Sequence, residues 1–255
     1  MVASGVMENL RAKKQRGERI TALTAYDYPT ARLLDEAGID VILVGDSLGM
    51  VVLGYEDTTE VTLVEMLHHT RAVARGVKRA LLVADLPIHT YDTAEQAVAS
   101  ARALVGAGAQ AVKLEGGVGR FTQIEAIVAA GIPMMGHVGM LPQNVREEGG
   151  YKLKGRTEAE AEALLQDARA VEKAGAFSVV LEIVAAETAR QITEALEIPT
   201  IGIGSGVSCD GQILVTHDLI GLFPWFKPKF VKQEVDVSAE IRKATEAFIK
   251  RTRGA

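Results

Sequence analysis

The chain has 255 residues, 48% of them hydrophobic, which is enough for a sizeable core and matches one closed α/β barrel. A formal net charge of −5 argues against general affinity for nucleic acid. The single cysteine, Cys209, excludes an intramolecular disulfide and fits a reducing compartment, and no apolar run approaches the length of a membrane span.

The first residues are too polar for a secretory signal, so a cytoplasmic protein is expected. Residues 1–16 read as an extra helix that closes the bottom of the fold. The basic clusters at Arg11, Lys13, Lys14 and Arg16 and at Lys250, Arg251 and Arg253 read as solvated helix ends. Strands are predicted over 19–25, 41–45, 80–84, 111–114, 133–136, 178–181 and 200–203, with a weaker eighth within 218–222. Most are continuous apolar runs, as in parallel strands covered on both faces by helices. Thr62 and Glu65 form a capping-box pattern, and Leu63, Met66, Leu67, Thr70, Val73 and Ala74 follow at helical spacing. Thr93 and Thr157 open two further helices, and 238–251 reads as a terminal one. Several helices stop at an Ala-Gly or Gly-Ala step, where glycine tolerates the left-handed closing conformation. Strands and helices alternate without a low-complexity linker, so 1–255 reads as one α/β domain. A doubly wound sheet is the alternative to a (β/α)8 barrel. Acids spread over many strand ends favour the barrel, because an open sheet concentrates its site at one switch point.

Those acids carry the functional reading. Asp46 follows VILVG, Asp85 follows LLVA, Glu115 ends AVKLE and Glu182 ends SVVLE. A carboxylate at the end of a buried strand has no packing purpose, and several together point to one mouth. Asp46 and Asp85 are the best candidates for a divalent cation; Mg²⁺ takes one or two carboxylates and leaves other positions to water and substrate. No His/Cys set has zinc spacing. Lys113 and Glu115 lie two apart, hence on one face, where they form either a structural ion pair or an oxyanion-stabilising pair beside a metal. His137 follows PMMG at another strand end and reads as a site residue; His68 and His69 read as helix surface or packing. The GIGSG run at 202–206 suits either a small anion or a tight turn. The connections 47–60 and 141–156 follow strand ends and read as lids or as surface excursions.

Several segments carry a resemblance over nearly the whole length: VGDSLGMVVLGYEDTTEV, ADLP, AVKLEGG, GIPMMGHVGMLPQ, AFSVVLE and IPTIGIGSGVSCDGQILV. The chain resembles the ketopantoate hydroxymethyltransferase family. The resemblance implies a barrel of the phosphoenolpyruvate/pyruvate group. It implies transfer of a hydroxymethyl group from 5,10-methylenetetrahydrofolate to 3-methyl-2-oxobutanoate, giving 2-dehydropantoate through a Mg²⁺-stabilised enolate. Carried over by motif, Asp46 and Asp85 bind metal with Glu115 assisting, and Glu182 is the proton acceptor. Ser47, Lys113 and His137 join Asp46 and Asp85 as substrate contacts, with Lys113 also catalytic. Family members are homo-oligomers, commonly decamers, so self-association is expected. Leu141 and Ala185 stand where the family often has Thr and Pro. Another Mg²⁺-dependent 2-oxo-acid aldolase or lyase, and a barrel that only binds a small anion, are the competing readings.

Overall fold

The structure, a computed structural model, describes residues 2–254. Eight parallel strands close into a barrel in sequence order. They are β1 (Ile20–Thr24), β2 (Val41–Val44), β3 (Leu81–Asp85), β4 (Ala111–Lys113), β5 (Met134–Gly139), β6 (Ser178–Glu182), β7 (Thr200–Ile203) and β8 (Gly211–Leu214). Helix α1 (Val2–Arg16) comes first, as expected. Between strands lie α2 (Tyr28–Ala37), α3 (Leu63–Ala74), α4 (Ala94–Gly106), α5 (Phe121–Ala129), the short α6 (Val145–Glu148), α7 (Glu158–Lys173) and α8 (Ala186–Ala195). Short helices α9 (Thr216–Leu219) and longer α10 (Val237–Arg253) follow β8.

The helix starts are where the side chains can cap them. Thr62 and Glu65 form the full capping box of α3, and the Thr93 and Thr157 hydroxyls accept the main-chain N–H of Gln96 and Glu160. The strands face two apolar layers. Ile42, Val44, Leu82, Ala84, Val112, Met134, Val179 and Leu181 point outward to the helices. The alternate residues Ile20, Ala22, Val41, Leu43, Leu81, Val83, Ala111, Met135, Val180, Ile201 and Ile213 fill the interior. Leu10 of α1 is 1% exposed and packs into that inner cluster, so α1 closes the bottom. Burying a leucine fully is worth about 2 kcal/mol.

The eighth strand is a correction: it is β8 at Gly211–Leu214, and α9 (Thr216–Leu219) occupies the start of the 218–222 stretch expected to be extended. A Cβ at Gly211 would lie 2.5 Å from the Ile20 carbonyl oxygen, so closing the barrel against β1 demands glycine there. That glycine and the polar Gln212 hide the strand from a search for apolar runs. β7 and β8 are joined by a loop with no helix. β5 also runs further than expected, to Gly139, which places His137 within the strand.

The chain divides into two compact units, Met1–Ile213 and Leu214–Ala255. The second contains α9 and α10, with Asp236 capping α10 at Ala239 N. Among the described residues no helix is long and apolar enough to cross a membrane.

Candidate active site

The inward file of side chains turns polar at the C-terminal ends of the strands. Asp85 is the next inward residue after Val83, Lys113 after Ala111, His137 after Met135 and Glu182 after Val180. Glu115 continues the file of β4 beyond Lys113, and Asp46 and Ser47 occupy the turn after β2. Period-two geometry therefore converts four apolar strands into one polar mouth. All of these residues except Ser47 and Glu182 are buried.

Strand register then pairs them. Asp85 is the Cα partner of Lys113 across β3 and β4, and Lys113 Nζ lies 2.6 Å from Asp85 Oδ1. The contact is charge pairing without hydrogen-bond alignment, since that oxygen has no aligned donor. The main-chain N–H of Asp46 donates to Asp85 Oδ2 at 3.2 Å, which sets the two acids side by side. His137 lies between two glutamates: Nδ1 is 3.6 Å from Glu115 Oε1 and Nε2 is 3.2 Å from Glu182 Oε2, both off the hydrogen-bonding axis. Ser47 Oγ is 2.8 Å from Tyr26 Oη, and Tyr26 O is 2.7 Å from His69 Nδ1. His69 thus braces the mouth from α3, in keeping with a packing role.

Glu182 is held in place from both sides. It is the Cα partner of Gly139, and a Cβ at Gly139 (φ 101°) would lie 2.4 Å from the Glu182 carbonyl oxygen. Only glycine fits both the left-handed conformation and the gap. Ile183, directly after Glu182, has φ 48°, which is strained for a β-branched residue. Main-chain bonds from Ile183 N to Ile203 O and from Lys154 N to Ile183 O maintain it.

Four carboxyl groups surround one ammonium, and burial sharpens the imbalance. Loss of water, then the Asp85 charge, pushes Asp46 up to about 7. Burial, then Asp46, drives Glu115 well above the usual carboxylate range. Burial alone would lower Lys113, but the carboxylates of Asp85, Asp46 and Glu115 outweigh it and keep the ammonium charged. Burial, then the Lys113 charge, lowers His137, so the imidazole is neutral near pH 7.

The single ammonium of Lys113 does not offset a cluster this rich in acid. Asp85 Oδ1 and Glu115 Oε1 are buried without an aligned donor. Among the described residues no three His, Cys, Asp or Glu side chains surround a common point. The donors are carboxylate oxygens with one imidazole. They fit a hard cation that takes one or two carboxylates, here Asp46 and Asp85, and keeps positions for water and substrate.

Gln143, an uncharged residue, also reaches the cluster. It is 4% exposed, donates from Nε2 to Asp46 Oδ2 at 2.7 Å, and donates from its main-chain N to Glu115 Oε2 at 3.1 Å. Its only sequence signal was its place in GMLPQ after β5. The two long connections are tied together: Arg146 Nε meets Asp57 Oδ2 at 2.6 Å, its Nη2 meets Glu60 Oε1 at 3.1 Å, and Tyr151 Oη lies 3.8 Å from Met50 Sδ. In the 202–206 run, Ser205 is committed inside the fold, accepting from Val184 N and donating to Leu181 O, both contacts of 2.8–2.9 Å. His89, exposed, places Nδ1 3.8 Å from Asp92 Oδ2.

In fold, the chain is similar to phosphonopyruvate hydrolase solved with oxalate and Mg²⁺ (TM-score 0.66, 16% identity, 98% of this chain and 88% of that one). It is equally similar to 2,3-dimethylmalate lyase, a member of the PEP mutase/isocitrate lyase superfamily (TM-score 0.65, 19% identity, 98% and 88%). The chain thus shares the closed parallel barrel of these structures, and in this chain the polar groups gather at the strand C-termini. Residues 5–255 match the family model described as ketopantoate hydroxymethyltransferase. Proteins named 3-methyl-2-oxobutanoate hydroxymethyltransferase match from Moorella thermoacetica, at 55% identity over 95% of this chain and 91% of that protein. Another, from Syntrophus aciditrophicus, matches at 53% over 94% and 89%. The chain belongs to the ketopantoate hydroxymethyltransferase family.

Proposed function

We propose that the protein transfers a hydroxymethyl group from 5,10-methylenetetrahydrofolate to 3-methyl-2-oxobutanoate, giving 2-dehydropantoate in the cytoplasm. The observation that carries the reading is the meeting of Asp46, Asp85, Lys113, Glu115, His137 and Glu182 at one mouth, in a chain of this family. Asp46 and Asp85, with Glu115 assisting, would hold a Mg²⁺ ion, which when bound would supply positive charge to the oxygens of the 2-oxo acid and so acidify its C3 proton.

The chain's own groups do the rest. Glu182, the least buried acid of the cluster, takes the C3 proton at a carboxylate oxygen. Neutral His137, 3.2 Å away, limits the positions open to that carboxylate without discharging it. Lys113 offsets negative charge that develops on the keto oxygen, and its pairing with Asp85 keeps it charged for that purpose. The Ser47 hydroxyl, steadied by Tyr26, orients the substrate carboxylate. The carbanion formed at C3 then bonds to the one-carbon unit as one folate C–N bond opens and its electron pair and a proton pass to that nitrogen. Water cleaves the remaining C–N bond, supplies the hydroxyl oxygen and releases tetrahydrofolate with the hydroxymethylated acid. Self-association, as a homodecamer, belongs to the same reading. Support comes from exposed Trp225, Phe226, Phe230, Ile241 and Phe248 in the second unit, apolar surface suited to a partner.

The test is 2-dehydropantoate formation from the two substrates, with Mg²⁺ and with excess EDTA. Product that appears with Mg²⁺ and disappears with chelator is expected. Folded protein that forms none in either case would shift the reading to a related 2-oxo-acid lyase.

A further inference from the structure

Every polar atom of the Gln143 side chain is used. Nε2 donates to Asp46 Oδ2 at 2.7 Å and to the Leu86 carbonyl at 3.0 Å, while Oε1 accepts from Tyr91 Oη. Tyr91 is itself buried, beneath the Arg120 guanidinium at 4.9 Å from its ring centre. The network fixes the orientation of the amide. Turned over, Oε1 would face both the Asp46 carboxylate and the Leu86 carbonyl, two acceptors with no donor between them.

The residue type is informative as well. Asp46 is buried, and the ordinary partner of a buried carboxylate is Lys or Arg. Such a partner would neutralise Asp46 and compete with any cation brought to it. A carboxamide orients the carboxylate and leaves its charge available. Gln143 also donates its main-chain N–H to Glu115 Oε2, so one residue touches two of the acids from a connection that belongs to neither strand. Its neighbours 142–144 form a single 3-10 turn that leads into α6.

We propose that Gln143 is a positioning residue that orders Asp46 through its side chain and Glu115 through its main chain, so that the hold on a divalent cation depends on seating of residues 141–148. The inference rests on the metal reading above and deepens it. Residues that orient metal ligands typically change affinity by about 10- to 100-fold when removed.

The probe is Mn²⁺ alone, titrated into the full chain and followed by electron paramagnetic resonance of the free ion. Gln143→Met keeps the shape and loses the hydrogen bonds; its Mn²⁺ dissociation constant should rise about 10- to 100-fold. Tyr91→Phe removes only the hydroxyl that anchors Oε1 and should weaken binding by about 3- to 10-fold. At saturating Mg²⁺ the KM for the 2-oxo acid should stay near that of the unsubstituted chain, while the Mg²⁺ concentration for half-maximal rate rises. Binding by both variants as tight as that of the unsubstituted chain would overturn the inference and leave the metal reading intact. If Gln143→Met does not fold, Tyr91→Phe decides alone. An unsubstituted chain that binds no Mn²⁺ would overturn both.

Discussion

Lys113 is the one cation among four buried or half-buried acids, and its removal tests the charge balance directly. Lys113→Met leaves Asp85 without its partner in a low-dielectric site, a loss of about 3 kcal/mol or more when one member of a buried pair is deleted. Urea unfolding in EDTA should register that loss, and added Mg²⁺ should restore part of it. Glu182→Gln tests the base. Exchange of the substrate C3 hydrogen with heavy water should slow by about 10²- to 10⁴-fold while Mn²⁺ binding persists. Undiminished exchange would remove Glu182 from that role. At this scale the acids were legible because each strand keeps its inward period to the last residue: Val83 leads to Asp85 and Val180 to Glu182. Gln143, Tyr91 and Tyr26 were not legible. They are uncharged, they are common types, and the partners that give them meaning come from other strands.

Among the elements, the ends of β5 and β6 are the least tolerant of change. Gly139→Ala would force a side chain into the Glu182 carbonyl at a left-handed position. The variant should lose about 2 kcal/mol or more of stability and lose exchange activity with it, because β6 must move at Glu182, the proposed base. Normal stability with normal exchange would show that the gap can open without cost. The elements themselves followed from the sequence wherever burial on both faces produced an apolar run, and the Thr62, Thr93 and Thr157 caps marked three helix starts. β8 escaped because Gly211 is demanded by proximity to β1 and contributes nothing apolar. The connections 47–60 and 141–156 were visible as long segments. Their linkage through Arg146, Asp57 and Glu60 was not, since ion pairs between distant segments have no local signature.

For the whole molecule, the buried acids set a pH dependence whose sign can be worked out. Asp46 ordinarily titrates at 3.8 and in the fold at about 7; Glu115 moves in the same direction. The folded metal-free chain therefore holds protons that the unfolded chain has released, and stability falls as pH rises through about 7. His137 is lowered from 6.5, so its contribution runs the other way, present above 6.5 and lost as pH falls through its folded value. From pH 6.5 to 8 the acids dominate. In EDTA, unfolding free energy should drop over that window by about 1 kcal/mol from Asp46 alone. Saturating Mg²⁺ should flatten the decline, because a cation replaces the protons. A metal-free chain that gains stability across the window would contradict the assignment of Asp46 as a buried acid with a raised pKa.

Leu10 seats α1 against the inner cluster at the base of the barrel, and this makes the interior a blind alley. Traffic in a blind alley is last in, first out. Under the proposed reaction, a small 2-oxo acid would have to enter before a bulky one-carbon donor takes the threshold, and the spent donor would have to leave before the enlarged acid could. Steady-state kinetics should therefore show a compulsory sequence, with the hydroxymethylated acid competing against the incoming 2-oxo acid and the spent donor inhibiting non-competitively toward it.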